Sequence, residues 1–197
     1  FIPFQLHDFS FRGMAGRHAA AISGFAALAA GAFGTDCIPA IDIAEDFYDA
    51  RADQELIGVS VPATEHSVMC SGSKEEEFET YERLITDLYP TGIVSIVSDT
   101  WDFWQVVTDY LPRLKDKIMS RDGKVVIRPD SGDPVDIICG TNELKGETAS
   151  ERGLVQCLWD IFGGTITSTG HRLLDSHVGL IYGDSITLER ARAILEG

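Results

Sequence analysis

The order in which apolar runs and polar residues follow one another constrains this chain more than any other feature. Short apolar runs repeatedly stop at a polar or charged residue. They cover 3–6 before His7, 32–33 before Gly34-Thr35-Asp36, and 57–61 before Pro62-Ala63-Thr64-Glu65-His66. Further runs cover 93–97 before Ser98-Asp99, 125–127 before Arg128-Pro129-Asp130, and 178–181 before Tyr182-Gly183-Asp184. Continuous apolar runs suit strands buried on both faces. Strands alternating with helical patterns predict βαβ units and a parallel sheet. Ligands in such folds collect at the carboxyl ends of the strands. The pattern puts His7, Asp36, His66, Asp99, Arg128, Asp130 and Asp184 at those ends. It predicts an α/β fold with one shared site on a barrel-like scaffold.

Helical signals lie between the runs. Ser73-Lys74-Glu75-Glu76 fits a capping box, and Phe78, Tyr81, Leu84, Ile85 and Leu88 then form one apolar face. Asp133-Pro134 reads as an N-cap followed by a first-turn proline. Leu188, Ala191, Ile194 and Leu195 repeat the helical spacing. Trp101, Phe103 and Trp104 read as a helix face on the core. Residues 140–177 are rich in Gly, Thr and Ser, with an apolar helix only over 154–162, so a flexible surface excursion is expected there.

Charge narrows the function classes. Aspartate and glutamate number 31 against 16 lysines and arginines, a net charge of −15. A broad basic face for nucleic acid is excluded. An anionic ligand would need a few local cationic side chains working against the overall field. Cys37, Cys70, Cys139 and Cys157 make no C-x-x-C pair and read as small buried residues in a reducing cytoplasm. The run AAAISGFAALAAGAF (19–33) is shorter than the roughly 20 residues that span a bilayer, so no membrane insertion is expected. Its small residues suit a helix packed closely on a sheet. The chain opens Phe1-Ile2-Pro3 and reads as an internal fragment without a signal peptide.

No phosphate-loop, dinucleotide or nucleophile-elbow motif is present, and no close His/Cys cluster suggests zinc. His66 follows a buried run and has Glu65 beside it, a carboxylate able to orient the ring. Such an imidazole can serve as a base or as a nucleophile towards phosphorus, although a lone histidine is more often structural. In Arg128-Pro129-Asp130-Ser131-Gly132-Asp133-Pro134, the arginine can clamp phosphate and Asp130 can meet sugar hydroxyls or hydrated Mg²⁺. The same stretch reads equally as a turn with an N-cap aspartate and an internal Arg–Asp pair. Phe9 and Arg12 can stack on a ring and meet a phosphate, or be a core aromatic and a surface arginine. Asp36 can be part of a plain turn. Residue chemistry alone stops at an α/β enzyme with a site for an anion and a planar ring.

HDFSFRG (7–13), GTD (34–36), SVPATEHS (60–67), VSIVSD (94–99), IRPDSGDP (127–134) and YGDS (182–185) together resemble the type II phosphoribosyltransferase family in its nicotinamide-using form. The resemblance covers nearly the whole chain and implies the central part of longer members. Residues 1–197 would then be part of an irregular (β/α) barrel, incomplete in this fragment. It implies transfer of 5-phosphoribose from phosphoribosyl pyrophosphate to nicotinamide, giving nicotinamide mononucleotide and pyrophosphate with Mg²⁺, a step of NAD salvage. By resemblance Phe9 stacks on the nicotinamide ring, Asp36 accepts from the carboxamide, and Ser60 and Ser95 line the base pocket. Arg128 lies near base and phosphates, and Arg12 holds phosphate. Asp130, Gly183 and Asp184 surround the ribose and pyrophosphate. His66, with Glu65 adjacent, is the histidine that ATP phosphorylates to drive the reaction.

The resemblance also implies a cytoplasmic homodimer. Phe11 stands where the family often has tyrosine. A glycine-rich phosphate loop is expected beyond Gly197, and a stacking aromatic from the partner subunit before Phe1, so the isolated fragment is expected to be inactive. The alternatives are a nicotinate phosphoribosyltransferase, whose carboxylate substrate Asp36 would repel, and an inactive fragment or binding module keeping the fold. The paired acidic residues of a type I phosphoribosyltransferase and the strand-end lysine of a barrel aldolase are both missing.

Overall fold

The computed structural model describes residues 4–141 and 147–197. The chain forms two compact units, Phe1–Val61 and Pro62–Gly197. Helices and parallel strands mix in both, as an α/β fold requires.

In the first unit, strand β1 (His7–Asp8) pairs in parallel with β2 (Gly34–Thr35), His7 opposite Gly34 and Asp8 opposite Thr35. The strands begin at the polar residues themselves, later than the expected 3–6 and 32–33; residue 3 of that expectation lies outside the described residues. A 3₁₀ turn (Ser10–Gly13) leads to helix α1 (Arg17–Ala29). Helix α1 packs on helix α2 (Ile38–Tyr48) rather than flat on a sheet. Ala20, Leu28, Cys37 and Ala40 form their shared core, where small side chains permit close approach.

The expected strand at 57–61 does not form. Val59 makes an isolated parallel bridge to Gly34, while Ala63 bridges Ser95 in the second unit. Pro62 between them has no N–H for a continuous ladder.

The second unit is built on a parallel sheet in the order β3-β4-β7. Strand β3 (Thr91–Val97) pairs with β4 (Asp122–Arg128), Thr91 opposite Asp122 and Val97 opposite Arg128. Between β4 and β7 lie the hairpin strands β5 (Gly164–Ile166) and β6 (Arg172–Leu174). Strand β7 (Val178–Leu180) joins the other side of β4, Val125 opposite Val178. On one face Val94, Ile96, Val125, Ile127 and Val178 pack against helical residues including Ile85, Val107, Leu111 and Leu158. The register puts Ser95, Val97, Val126 and Arg128 on the other face.

The helices follow the sequence signals with local departures. Ser73 and Glu76 complete the capping box that opens a 3₁₀ turn (Lys74–Glu76), leading into Glu77–Arg83. A π turn (Leu84–Leu88) then widens the helix. Tyr81, Leu84 and Ile85 are buried but Leu88 is exposed, because the wider turn carries it off the apolar face. Phe103 and Trp104 join the core while Trp101 stays exposed. Asp133 caps Pro134–Cys139 by accepting from the N–H of Val135 at 2.9 Å. The region expected to be an excursion contains the helix Ala149–Phe162, broken at Gly153, whose Leu154, Leu158 and Phe162 enter the core. Residues 142–146 of that expectation lie outside the described residues. The last helix, Leu188–Glu196, leaves Leu188 and Leu195 exposed.

Candidate functional site

In the first unit the ends of β1 and β2 bring His7, Phe9 and Asp36 together, and Ser60 joins them. Nε2 of His7 lies 2.9 Å from Oδ1 of Asp36, and Oγ of Ser60 donates to the same oxygen at 2.6 Å. The rings of His7 and Phe9 stack with centroids 4.4 Å apart. The turn after Gly34 is capped by a neighbour: Oγ1 of Thr35 accepts from the N–H of Cys37 at 2.9 Å. The Asp36 side chain stays 46% exposed and engages His7 and Ser60, while Thr35 rather than Asp36 caps the turn. Arg12 sits on the exposed 3₁₀ turn.

In the second unit the segments after Ala63, β3, β4 and β7 carry the remaining candidates. Asp99 is the hub. Its side chain is 4% exposed, and Oδ1 lies 3.2 Å from Nε2 of His66. Oδ2 accepts from the N–H of Asp130 at 3.0 Å and from Oγ of Ser131 at 2.6 Å. A carboxylate orienting the histidine was expected from the adjacent Glu65; the contact seen on the ring is that of Asp99. Glu65 turns instead to Arg128, with Oε2 3.3 Å from Nη2. Chain adjacency hid this, because residues 65 and 66 start a helix (His66–Met69) and diverge from its N-terminus.

Arg128 is 3% exposed, and neither Nε nor Nη2 has a hydrogen-bond partner among the described residues. Nη2 faces Glu65 as an ion pair without forming a hydrogen bond, so the guanidinium keeps donor capacity that an anionic ligand could use. Ser95, on the same sheet face, also keeps a buried hydroxyl with no hydrogen-bond partner among the described residues. Tyr182 donates its hydroxyl to the carbonyl of Gly132 at 2.9 Å, tying the β7 loop to the β4 loop. Arg190 adds a second tie, to the carbonyl of Ser185 at 2.8 Å and to Oδ2 of Asp133 at 3.4 Å. Burial pushes the Tyr182 hydroxyl up, and the carboxylates of Asp184, Asp99, Asp130 and Asp133 push it further. Gly183 and Asp184 are exposed on this loop.

Among the described residues no three His, Cys, Asp or Glu side chains converge as a metal-binding group. Such an arrangement can bind a polyanion by Arg128, hold a sugar by short acidic side chains, and present an imidazole with an oriented proton. Sequence reading placed Asp99 and His7 at strand ends without roles. Their positions were the only signal, since partners 33 and 29 residues away cannot be paired from one sequence.

The chain matches the family model described as "Nicotinate phosphoribosyltransferase (NAPRTase) family" over residues 4–197. It is 57% identical to "Nicotinamide phosphoribosyltransferase" of Acinetobacter baylyi, covering all of this chain and 39% of that protein. It is 36% identical to the protein of the same name from Mycoplasma pneumoniae, covering all of this chain and 40% of the relative. The one from Xanthomonas campestris pv. campestris is 35% identical, with 99% and 38% covered. The chain thus spans about two-fifths of the length of these relatives.

Proposed function

The chain belongs to the nicotinate phosphoribosyltransferase (NAPRTase) family, and on that premise we propose that the complete protein transfers 5-phosphoribose from phosphoribosyl pyrophosphate to nicotinamide. The products are nicotinamide mononucleotide and pyrophosphate, a step of NAD salvage. The names of its relatives support this reading. The observation that carries the choice of base is the Asp36 carboxylate, held by His7 and Ser60 on one oxygen. A carboxylate accepts from an amide N–H but repels the carboxylate of nicotinate.

Phe9 stacks on the pyridine ring, Asp36 takes the carboxamide N–H, and Ser60 and Ser95 line the base pocket. Arg128 and Arg12 bind phosphates. Asp130, Gly183 and Asp184 hold the ribose and pyrophosphate. The bond from ribose C1 to the pyrophosphate oxygen breaks, the pyridine nitrogen bonds to C1, and pyrophosphate leaves with the bond's electron pair. No protein nucleophile is needed at carbon, so positioning and charge stabilisation dominate. Asp130 and Asp184 would meet Mg²⁺ through its waters, and the ion would supply neutralisation of the pyrophosphate charge.

His66, held by Asp99, is the proposed acceptor of a phosphoryl group from ATP, with Glu65 steadying Arg128. Nε2 engages Asp99, and among the described residues no hydrogen bond is seen on Nδ1, which leaves that nitrogen as the proposed phosphoryl acceptor. We further infer that the parallel sheet is part of an irregular barrel of the type II kind, that the complete protein is a homodimer, and that it works in the cytoplasm. The four unpaired thiols support the last point. No described helix is long and apolar enough to cross a membrane.

The test is Asp36→Ser in the complete protein, with kcat/KM measured for both bases. The nicotinamide-to-nicotinate ratio should fall between about fivefold and a hundredfold, since losing one polar contact costs about 1–3 kcal/mol and each 1.4 kcal/mol is about tenfold. A ratio that stays put would return Asp36 to a purely structural role.

A further inference from the structure

We propose that His7 is a specificity-positioning residue, which fixes the oxygen of Asp36 that meets the base and so makes this carboxylate a reader of amides. The proposal rests on the transferase reading above and adds a residue that acts through Asp36. A carboxylate only accepts, so Nε2 of His7 carries the proton in its 2.9 Å contact with Oδ1 of Asp36. Ser60 donates to that same oxygen at 2.6 Å. Two donors therefore converge on Oδ1, and among the described residues none is recorded on Oδ2. Oδ2 is left as the acceptor for a substrate N–H.

The imidazole is itself held on three sides. Its backbone pairs with Gly34 in the β1–β2 ladder. A Cβ at Gly34 would stand 2.7 Å from Nδ1, so the missing side chain is what seats the ring against the strand. Phe9 covers one ring face at 4.4 Å. The side chain of His7 is 16% exposed and that of Asp36 46%, so the histidine braces the carboxylate from its buried side. A carboxylate fixed by two donors on one oxygen cannot rotate away from an incoming anion. Without His7, the Asp36 side chain loses one of its two anchors and can swing, which weakens the amide contact and relieves the clash with an acid.

The test uses the complete protein with phosphoribosyl pyrophosphate and either nicotinamide or nicotinate. His7→Phe keeps a ring against Phe9 but removes the donor. It should lower the nicotinamide-to-nicotinate kcat/KM ratio about tenfold, mainly through KM for nicotinamide. His7→Gln, whose amide nitrogen can reach Oδ1, should recover most of the ratio. If His7→Phe does not fold, His7→Ala assayed with and without added imidazole replaces it, and imidazole should restore selectivity. Equal losses for both bases, or a ratio that imidazole leaves unmoved, would overturn the assignment of His7 alone. Failure of the unaltered protein to turn over either base would overturn the transferase reading, and this proposal with it.

Discussion

The carboxylate of Asp99 lies 3.2 Å from Nε2 of His66 while its other oxygen holds the Asp130–Ser131 turn, so one buried side chain joins the histidine to the loop after β4. Asp99→Asn keeps the shape and removes the charge. Incorporation of label from ATP into acid-labile phosphohistidine should fall at least about tenfold, because a ring held in one orientation is the better nucleophile. Transfer measured without ATP should fall less. Full labelling of the variant would show that His66 does not depend on Asp99.

Tyr182→Phe removes the hydroxyl donated to Gly132 and nothing else from the loop pair. One such bond is worth about 1 kcal/mol, so KM for phosphoribosyl pyrophosphate should rise about fivefold with KM for nicotinamide little changed. A rise in the nicotinamide KM instead would place Tyr182 on the base side.

Glu77 is a buried anomaly. It is 1% exposed and neither carboxylate oxygen has a hydrogen-bond partner among the described residues. Burial pushes its pKa up to about 7, with Lys74 pulling the other way and Asp102 adding to the rise. The folded state therefore holds its proton more tightly than the unfolded chain, whose carboxyl titrates near 4.5. Stability from this group is intact below that value, is lost as pH climbs towards about 7, and is flat above it. Glu77→Gln should melt with the unaltered protein at pH near 4.5 and above it at pH 8, by on the order of 1–3 kcal/mol. A gap that does not change with pH would show that Glu77 is solvated or paired.

Gly123 has φ of 151° on β4, and a Cβ there would overlap the backbone of Gly92 across the ladder. Gly123→Ala should cost roughly 2–4 kcal/mol, read as a lower melting temperature. A loss under about 0.5 kcal/mol, the size of an ordinary surface change, would mean the two backbones can part freely.

Much of the second unit was legible because its signals are local. The runs ending at Ser98 and Arg128 are strands of the parallel sheet, Asp133 caps its helix, and Ser73 with Glu76 closes its box. What the chain order could not reveal was pairing at a distance. Glu65 sits next to His66 in sequence yet faces Arg128, while Asp99 reaches the ring from 33 residues away. Propensity also missed the π turn that frees Leu88, and the way Pro62 divides an apolar run between two bridges. Asp36 was found by its motif, but its brace, His7, lies in another strand.

The ladder between β3 and β4 has a consequence for how faults would propagate. Gly92 faces Gly123 near its start and Val97 faces Arg128 at its end, five steps of about 3.3 Å away. Side chains alternate faces, so sliding β4 by a single residue would exchange Arg128 with Ile127 and drive a guanidinium into the oily layer. Misalignment here is all or nothing; no intermediate setting exists in which the arginine is slightly displaced. The rim thus inherits a digital tolerance from the far end of the sheet. Its loops can vary in length without retuning where the cation stands.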